Sequence, residues 1–210
     1  MSSSSLLSSY IFYGEYHSNT TNKHIHYVFV PTIVGSLAVL LANVKVIDVL
    51  KNVSLTSLVK YVPVLPASIV SSSASQPSIS FILTAGYASY YLYLCSRAKL
   101  VTVGLTSATL MMLTWLGAEK LSSSYGSAII MPAIALQVVS WAAQIYGHQI
   151  HEKRSPAFMD NISQALVMAP LFVYMEVLRD FGFLKAFHTQ AETEIEKRVA
   201  AYKAGQSKKK

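Results

Sequence analysis

Long uncharged apolar blocks alternate with short polar ones along the chain, and their lengths set the first expectation. A helix that crosses a bilayer needs about 20 mostly apolar residues. Residues 25–44, 100–118 and 126–147 reach or approach that length. Residues 79–96 are shorter but carry no charge, and Tyr87, Tyr90, Tyr91 and Tyr93 are suited to anchor such a helix at an interface. Gln137 and Gln144 are expected to face a protein interior rather than lipid. A further apolar stretch, 161–178, is interrupted by Pro170 and carries Glu176 near its end. It is expected to dip in and return, or to pack against the bundle, rather than to cross.

The segment between the first two blocks is of a different kind. It holds Lys45, Asp48, Lys51 and Lys60, then Pro63, Pro66 and a serine-rich run ending at Pro77. This predicts an interfacial piece followed by a flexible loop over 63–78. Residues 53–70 are long enough for another span, but Lys60 at their middle makes that costly. The fold class expected is an all-α membrane protein: a bundle of about four spanning helices plus a partly inserted or re-entrant fifth apolar helix. No solenoid repeat and no second domain are visible. Residues 1–185 read as one membrane-embedded domain and 186–210 as a basic polar tail. Glu194 and Arg198 sit four apart there on one surface helix, and His188 is expected at the surface.

Composition supports the membrane reading. Of 210 residues, 52% are hydrophobic and only 13% charged, against roughly 25% charged in an average soluble domain. The net charge of +7 fits loops beside anionic lipid. No interleaving of basic and aromatic residues suggests a nucleic-acid surface, so no nucleic-acid partner is expected. The lone cysteine, Cys95, excludes an intrachain disulfide framework and any multi-cysteine zinc site. The first nine residues lack the charge and long apolar run of a cleaved signal peptide.

Five of the six histidines fall in two short windows at the edges of apolar blocks, half a chain apart. The first holds His17, His24 and His26, with Tyr13 and Asn22 four residues before His17 and His26. The second holds His148, His151 and Glu152, at spacings that put all three on one face of an α-helix. Imidazoles with a carboxylate suit iron(II), and zinc accepts the same ligands. To share a metal the windows must lie on one side of the membrane, so an even number of spans must separate them. Four spans satisfy this; counting 53–70 as a fifth does not. Four also place Arg97, Lys99, Lys153 and Arg154 on one side, which the excess of basic residues makes cytosolic. Lys45, Lys51 and Lys60 then face the opposite way. Lys153 and Arg154 are topology signals or, more sharply, cations for a fatty carboxylate. Glu176 should pair with Lys153, Arg154 or a histidine, since an unpaired carboxylate in hydrocarbon is expensive. The blander alternative is a non-enzymatic membrane scaffold with interfacial histidines. A transporter is disfavoured by the lack of an inverted repeat. No serine-nucleophile elbow, phosphate-binding glycine loop or HExxH pattern occurs, and the HxxxH and HxxHH boxes of membrane desaturases are absent.

Two stretches bear a family likeness. Phe12-Tyr13-Gly14-Glu15-Tyr16-His17, followed by Asn22-Lys23-His24-Ile25-His26-Tyr27-Val28-Phe29-Val30-Pro31, resembles the opening motif of the 2-hydroxy fatty acid dioxygenase family. Gln144 through His148 and Glu152, then Pro156 to Pro170, resembles its second motif. The likeness covers about 15–35 and 140–183. The middle matches only in being apolar, and the serine-rich loop near 63–76 looks like an insertion. His24 and His151 lie outside the family pattern. The resemblance implies an endoplasmic-reticulum membrane enzyme of phytosphingosine breakdown, multi-pass, with its site facing the cytosol. It implies an Fe(2+) cofactor and cleavage of the C1–C2 bond of a long-chain 2-hydroxy fatty acid with O2, giving an acid one carbon shorter. On that basis His17, His26 and His148 are the expected metal ligands. Glu152 is a fourth ligand or a partner of one, Asn22 and Tyr13 are orienting groups, and Lys153 and Arg154 are carboxylate-binding candidates. Membrane lipid is the other partner implied.

Overall fold

A computed structural model describes residues 5–46, 77–154 and 164–207. These are helical throughout, with no strand among them beyond one isolated bridge. In chain order the helices are α1 (Ser5–Glu15), α2 (Thr20–Ala42), α3 (Ile79–Arg97), α4 (Val101–Tyr125), α5 (Ile130–Tyr146), α6 (Ala169–Asp180) and α7 (Lys185–Ser207). A 3-10 turn, Gly126–Ile129, joins α4 to α5. Two π turns, Gly147–Glu152 and Gln164–Met168, follow α5 and precede α6. The helix α2 and the helical run Val101–Glu152 are long and apolar enough to cross a membrane. Gly126, at a positive φ of 54°, breaks that run, and α4 and α5 each pack against α2.

Helices α2 to α5 form where their apolar blocks predict, and caps set the starts of α2 and α3. Asn19 accepts from the backbone of Thr21 and Asn22 to start α2, and Ser78 accepts from Phe81 to start α3. Small residues let α2, α4 and α5 approach closely away from the histidines: Ala38, Ala42, Ala118 and Ala133 are buried together. Gln137 faces inward, donating to the Ile33 carbonyl at 2.7 Å. Outward faces remain apolar, with Leu105, Leu113, Leu116, Met131, Val138 and Val139 exposed, as a lipid-facing surface requires.

Lys45 and Ser78 pair in the isolated bridge. Glu119 of α4 meets both: it takes the Ser78 hydroxyl and lies 3.7 Å from the Lys45 ammonium. The chain therefore leaves and re-enters the bundle at one place, next to the ends of α2 and α4 and opposite the histidines. The 53–70 stretch considered as an extra span lies outside the described residues.

Three expectations change. The N-terminal residues, given no element above, form α1, whose Leu6, Leu7, Tyr10, Ile11 and Tyr13 are in the main core. Tyr91 is fully buried rather than interfacial. Pro170 has no N–H for the carbonyl of Leu166, four residues earlier; Tyr87 donates to that carbonyl at 2.9 Å and Tyr91 to Val167 at 2.7 Å. Finally, the segment after 185 is a continuous helix docked along α1. Ile195 fills the space left by the missing side chain of Gly14, Ala191 is in the core, and His188 is buried.

Glu176, 1% exposed, holds four helices together. It accepts from the Tyr10 hydroxyl at 2.6 Å and pairs with Arg179 at 2.9 Å and Lys23 at 3.2 Å. Tyr10 in turn meets His188 Nδ1 at 3.1 Å. These partners replace the Lys153, Arg154 or histidine expected above. The reason is position: Glu176 faces α1 and the first turn of α2, whereas Arg154 is engaged by Glu15. Burial with the Glu176 carboxylate beside it pushes the Tyr10 hydroxyl far above its usual range, so it remains a donor. Glu176→Ala would leave two cations facing each other and is expected to cost about 3–5 kcal/mol, read as a lowered thermal midpoint of detergent-solubilised protein. An unchanged midpoint would mean that this network contributes little.

Candidate metal centre

Three imidazoles from three segments meet at the ends of α1, α2 and α5. His17 lies in the link between α1 and α2, His26 in the second turn of α2, and His148 in the first π turn. All three are buried. Their ring centroids are 4.3 Å apart for His17–His26 and 4.9 Å for each to His148. One nitrogen from each lies within 4.8 Å of the other two, an arrangement that could hold a metal ion.

The backbone sets how each ring presents its nitrogens. His17 Nδ1 is 2.8 Å from the Tyr13 carbonyl, and His26 Nδ1 is 2.8 Å from the Asn22 carbonyl. A carbonyl only accepts, so Nδ1 carries the proton and Nε2 is left with a free lone pair. That is the usual disposition of a metal-ligating histidine. The shared i to i+4 spacing, Tyr13 to His17 and Asn22 to His26, produces both bonds. His17 is surrounded by apolar atoms and two other imidazoles; burial first, then those neighbours, hold its pKa well below the ordinary histidine range. It is neutral, as a ligand must be. His17 Nε2 and His148 Nδ1 are buried without a hydrogen-bond partner. An unmet buried polar atom costs about 1–3 kcal/mol, and a metal ion satisfies such nitrogens together. The donor set therefore fits a transition metal that accepts imidazole.

Glu152 does not join this group. One carboxylate oxygen accepts from the Ser18 backbone at 2.9 Å and from the Ser18 hydroxyl; the other accepts from the Asn19 backbone at 2.9 Å and from Asn22 Nδ2 at 3.3 Å. It sits at the positive end of α2 and pins the π turn carrying His148 to the helix carrying His26. Asn22, fully buried, also reaches the Tyr16 carbonyl at 3.3 Å. Its Oδ1 faces Gly147, where a Cβ would collide with it. The Tyr13 ring stacks on His17 at 3.9 Å and 14°. Its hydroxyl is buried without a partner, and burial pushes its pKa well above the usual tyrosine range, so the proton stays on.

The remaining sequence candidates lie elsewhere. His24 is exposed beside Tyr27, and His151 is turned toward Tyr146. The wider π turn removes the shared face that α-helical spacing predicted for His148, His151 and Glu152. Lys153 ends the turn in the left-handed region, φ 54°, with its side chain exposed. Arg154 is taken up: it donates to the Glu15 carbonyl at 2.9 Å, and its guanidinium lies over the Tyr16 ring at 3.6 Å. Ser18 and Asn19 are site residues that pattern reasoning missed. Their only sequence signal is the N-cap character of Asn19 ahead of an apolar run.

An all-helical chain long and apolar enough to cross a bilayer, with a buried three-histidine cluster at one end of its helices, is the class of protein seen here. Residues 3–181 match the family described as Mpo1-like, 2-hydroxy-palmitic acid dioxygenase Mpo1-like, and the chain belongs to that family. It is 29% identical over 185 residues to the 2-hydroxy-palmitic acid dioxygenase MPO1 of Saccharomyces cerevisiae, across 88% of this chain and 86% of that one. No solved structure matches the chain. The matched residues take in α1 to α6 and stop short of α7.

Replacing Glu152 by Gln tests its assignment as a clamp. Losing charge-assisted bonds at the α2 terminus is expected to cost about 1–3 kcal/mol in protein stripped of metal, measured by thermal unfolding. A loss seen only in metal-loaded protein would mark Glu152 as a ligand instead.

Proposed function

We propose that this protein is an iron(II)-dependent dioxygenase that cleaves the C1–C2 bond of long-chain 2-hydroxy fatty acids, giving an acid one carbon shorter. The observation that carries the reading is the convergence of neutral, buried His17, His26 and His148. It occurs in a family whose yeast member is named for 2-hydroxy-palmitic acid. Iron(II), when bound, supplies the one-electron chemistry that O2 needs to react with a closed-shell substrate. The protein's part is to hold the ion through three imidazoles, with Asn22 and Glu152 fixing the segments that bear them. To Tyr13, whose buried hydroxyl is protonated and has no hydrogen-bond partner, we assign a hydrogen bond to a substrate oxygen. Lys153 is the cation we assign to the substrate carboxylate, because Arg154 is already bound.

The substrate's alkyl chain needs an apolar berth. A groove of about 500 Å³ between α2, α4 and α6, lined in part by Tyr27, Pro31, Val34, Met111, Val173 and Tyr174, offers one. It starts at the residue after His26, and each buried methylene stabilises by about 0.8 kcal/mol. We place α2, α3, α4 and α5 across the endoplasmic-reticulum membrane, with the histidines at the cytosolic rim; most of the 63–78 loop expected from the sequence lies outside the described residues. Arg97, Lys99, Lys153 and Arg154 support that orientation. Lys45, at the opposite end, is offset by Glu119.

Purified protein should contain iron and shorten 2-hydroxypalmitate; chelation should stop turnover and Fe(II) should restore it. His148→Ala should lower turnover at least a hundredfold and lower iron content while leaving membrane insertion intact. Full turnover by iron-free protein, or by His148→Ala, would defeat the proposal.

A further inference from the structure

The geometry points to Arg154 as a positioning residue for the three-histidine cluster, with Tyr202 of the C-terminal helix completing its seat. This inference rests on the metal reading proposed above. It concerns residues that do not touch the imidazoles and, in α7, residues beyond the family match.

Arg154 sits two residues past Glu152 and six past His148. The backbone N–H of Lys153 and that of Arg154 both donate to the His148 carbonyl, so a shift of Arg154 moves His148. Its side chain reaches the other half of the site. Nη1 donates to the Glu15 carbonyl at 2.9 Å, Nη2 lies 3.7 Å from Glu15 Oε2, and Cζ is 3.6 Å from the centre of the Tyr16 ring. Tyr16 immediately precedes His17. One guanidinium thus spans the backbone segments that carry two of the three imidazoles.

The remaining contacts of this seat come from α7. The Tyr202 ring centre is 4.3 Å from Arg154 Cζ. Arg198 pairs with Glu15 Oε1 at 2.7 Å, and Ile195 occupies the notch at Gly14. Glu15 is therefore shared between Arg154 and Arg198, and Tyr16 and Tyr202 both lie against the guanidinium. A planar cation suits such a site, since it stacks on rings and forks onto an acceptor; lysine cannot do both. With Nη1 and Nη2 turned toward Glu15 and two rings against its plane, Arg154 has no open fork for a substrate carboxylate. The C-terminal helix, polar by sequence and easily taken for a loose tail, becomes part of what keeps His17 and His148 in register.

Co(II) is the probe, added to metal-free full-length protein in detergent. Its affinity is read by chelator competition and its ligand geometry by the visible absorption bands. Arg154→Lys and Tyr202→Ala should each weaken Co(II) about tenfold, the lower end of what loss of a supporting contact costs a metal site, and should shift the bands. Tyr202→Phe, which keeps the ring, should restore most of the affinity. If Tyr202→Ala aggregates, Tyr202→Leu keeps packing volume without the aromatic face and should show the same loss. In iron-loaded protein, Arg154→Lys should lower kcat for 2-hydroxypalmitate more than it raises KM. A raised KM with wild-type Co(II) affinity and spectrum would overturn the proposal and return Arg154 to the substrate. Wild-type protein that takes up no Co(II) would sink the metal reading, and this inference with it. That failure is distinct because it precedes any substitution.

Discussion

The site depends on one carboxylate at the beginning of one helix. Glu152 meets two backbone N–H groups, a hydroxyl and an amide at the start of α2. Helix starts carry unpaired N–H groups and partial positive charge, so an anion there is stabilised by hydrogen bonds and by the dipole together. The contact ties chain segments 130 to 134 residues apart in sequence. It works alongside the close approach of Gly147 to Asn22 and the seat of Arg154 on Glu15 and Tyr16, which hold the same π turn. Asn22 links the two levels of the arrangement, since its side chain touches Glu152 and its carbonyl orients His26.

A chain rich in apolar residues cannot rely on hydrophobic contrast alone to choose among helix packings in lipid, where tails are as apolar as leucine. Here polar groups do the choosing, and nearly all sit at helix ends. Glu176 fixes α6 against α1 and α2, Glu119 fixes α4 against the ends of α2 and α3, and Tyr87 and Tyr91 fix α3 against the second π turn. Between these belts the contacts are small residues, the Gln137 bridge and apolar side chains such as Val30, Val34 and Met111. A polar group at each end and close packing between them leaves few alternative registers.

Apolar runs are legible because a long uncharged block has little option but a helix, and α2 to α5 lie where their blocks predict. The histidine windows are legible because five of the six histidines concentrate in them. Their convergence required an argument from parity and resemblance, and the geometry of His17, His26 and His148 accords with it. Other features carry no such signal. Nothing distinguishes residues 147–152 as a π turn, so α-helical spacing groups His151 with His148. The helix α1 is short and serine-rich, although Leu6, Tyr10 and Tyr13 repeat at helical spacing. Side-chain partners were least readable. Glu176 took Lys23 and Arg179, Arg154 took Glu15, and His188 went inside, because pairing depends on helix rotation and not on spacing along one helix.

The bridge between Lys45 and Ser78 has an architectural consequence. It brings two points of the chain more than thirty residues apart side by side, at the end of the helices away from the imidazoles. Where two chain points are already held together, the entropy of closure depends only weakly on the length between them, about 0.6 kcal/mol per doubling. The paired ends at Lys45 and Ser78 thus give an engineer a fixed pair of anchor points for a reporter or an affinity handle.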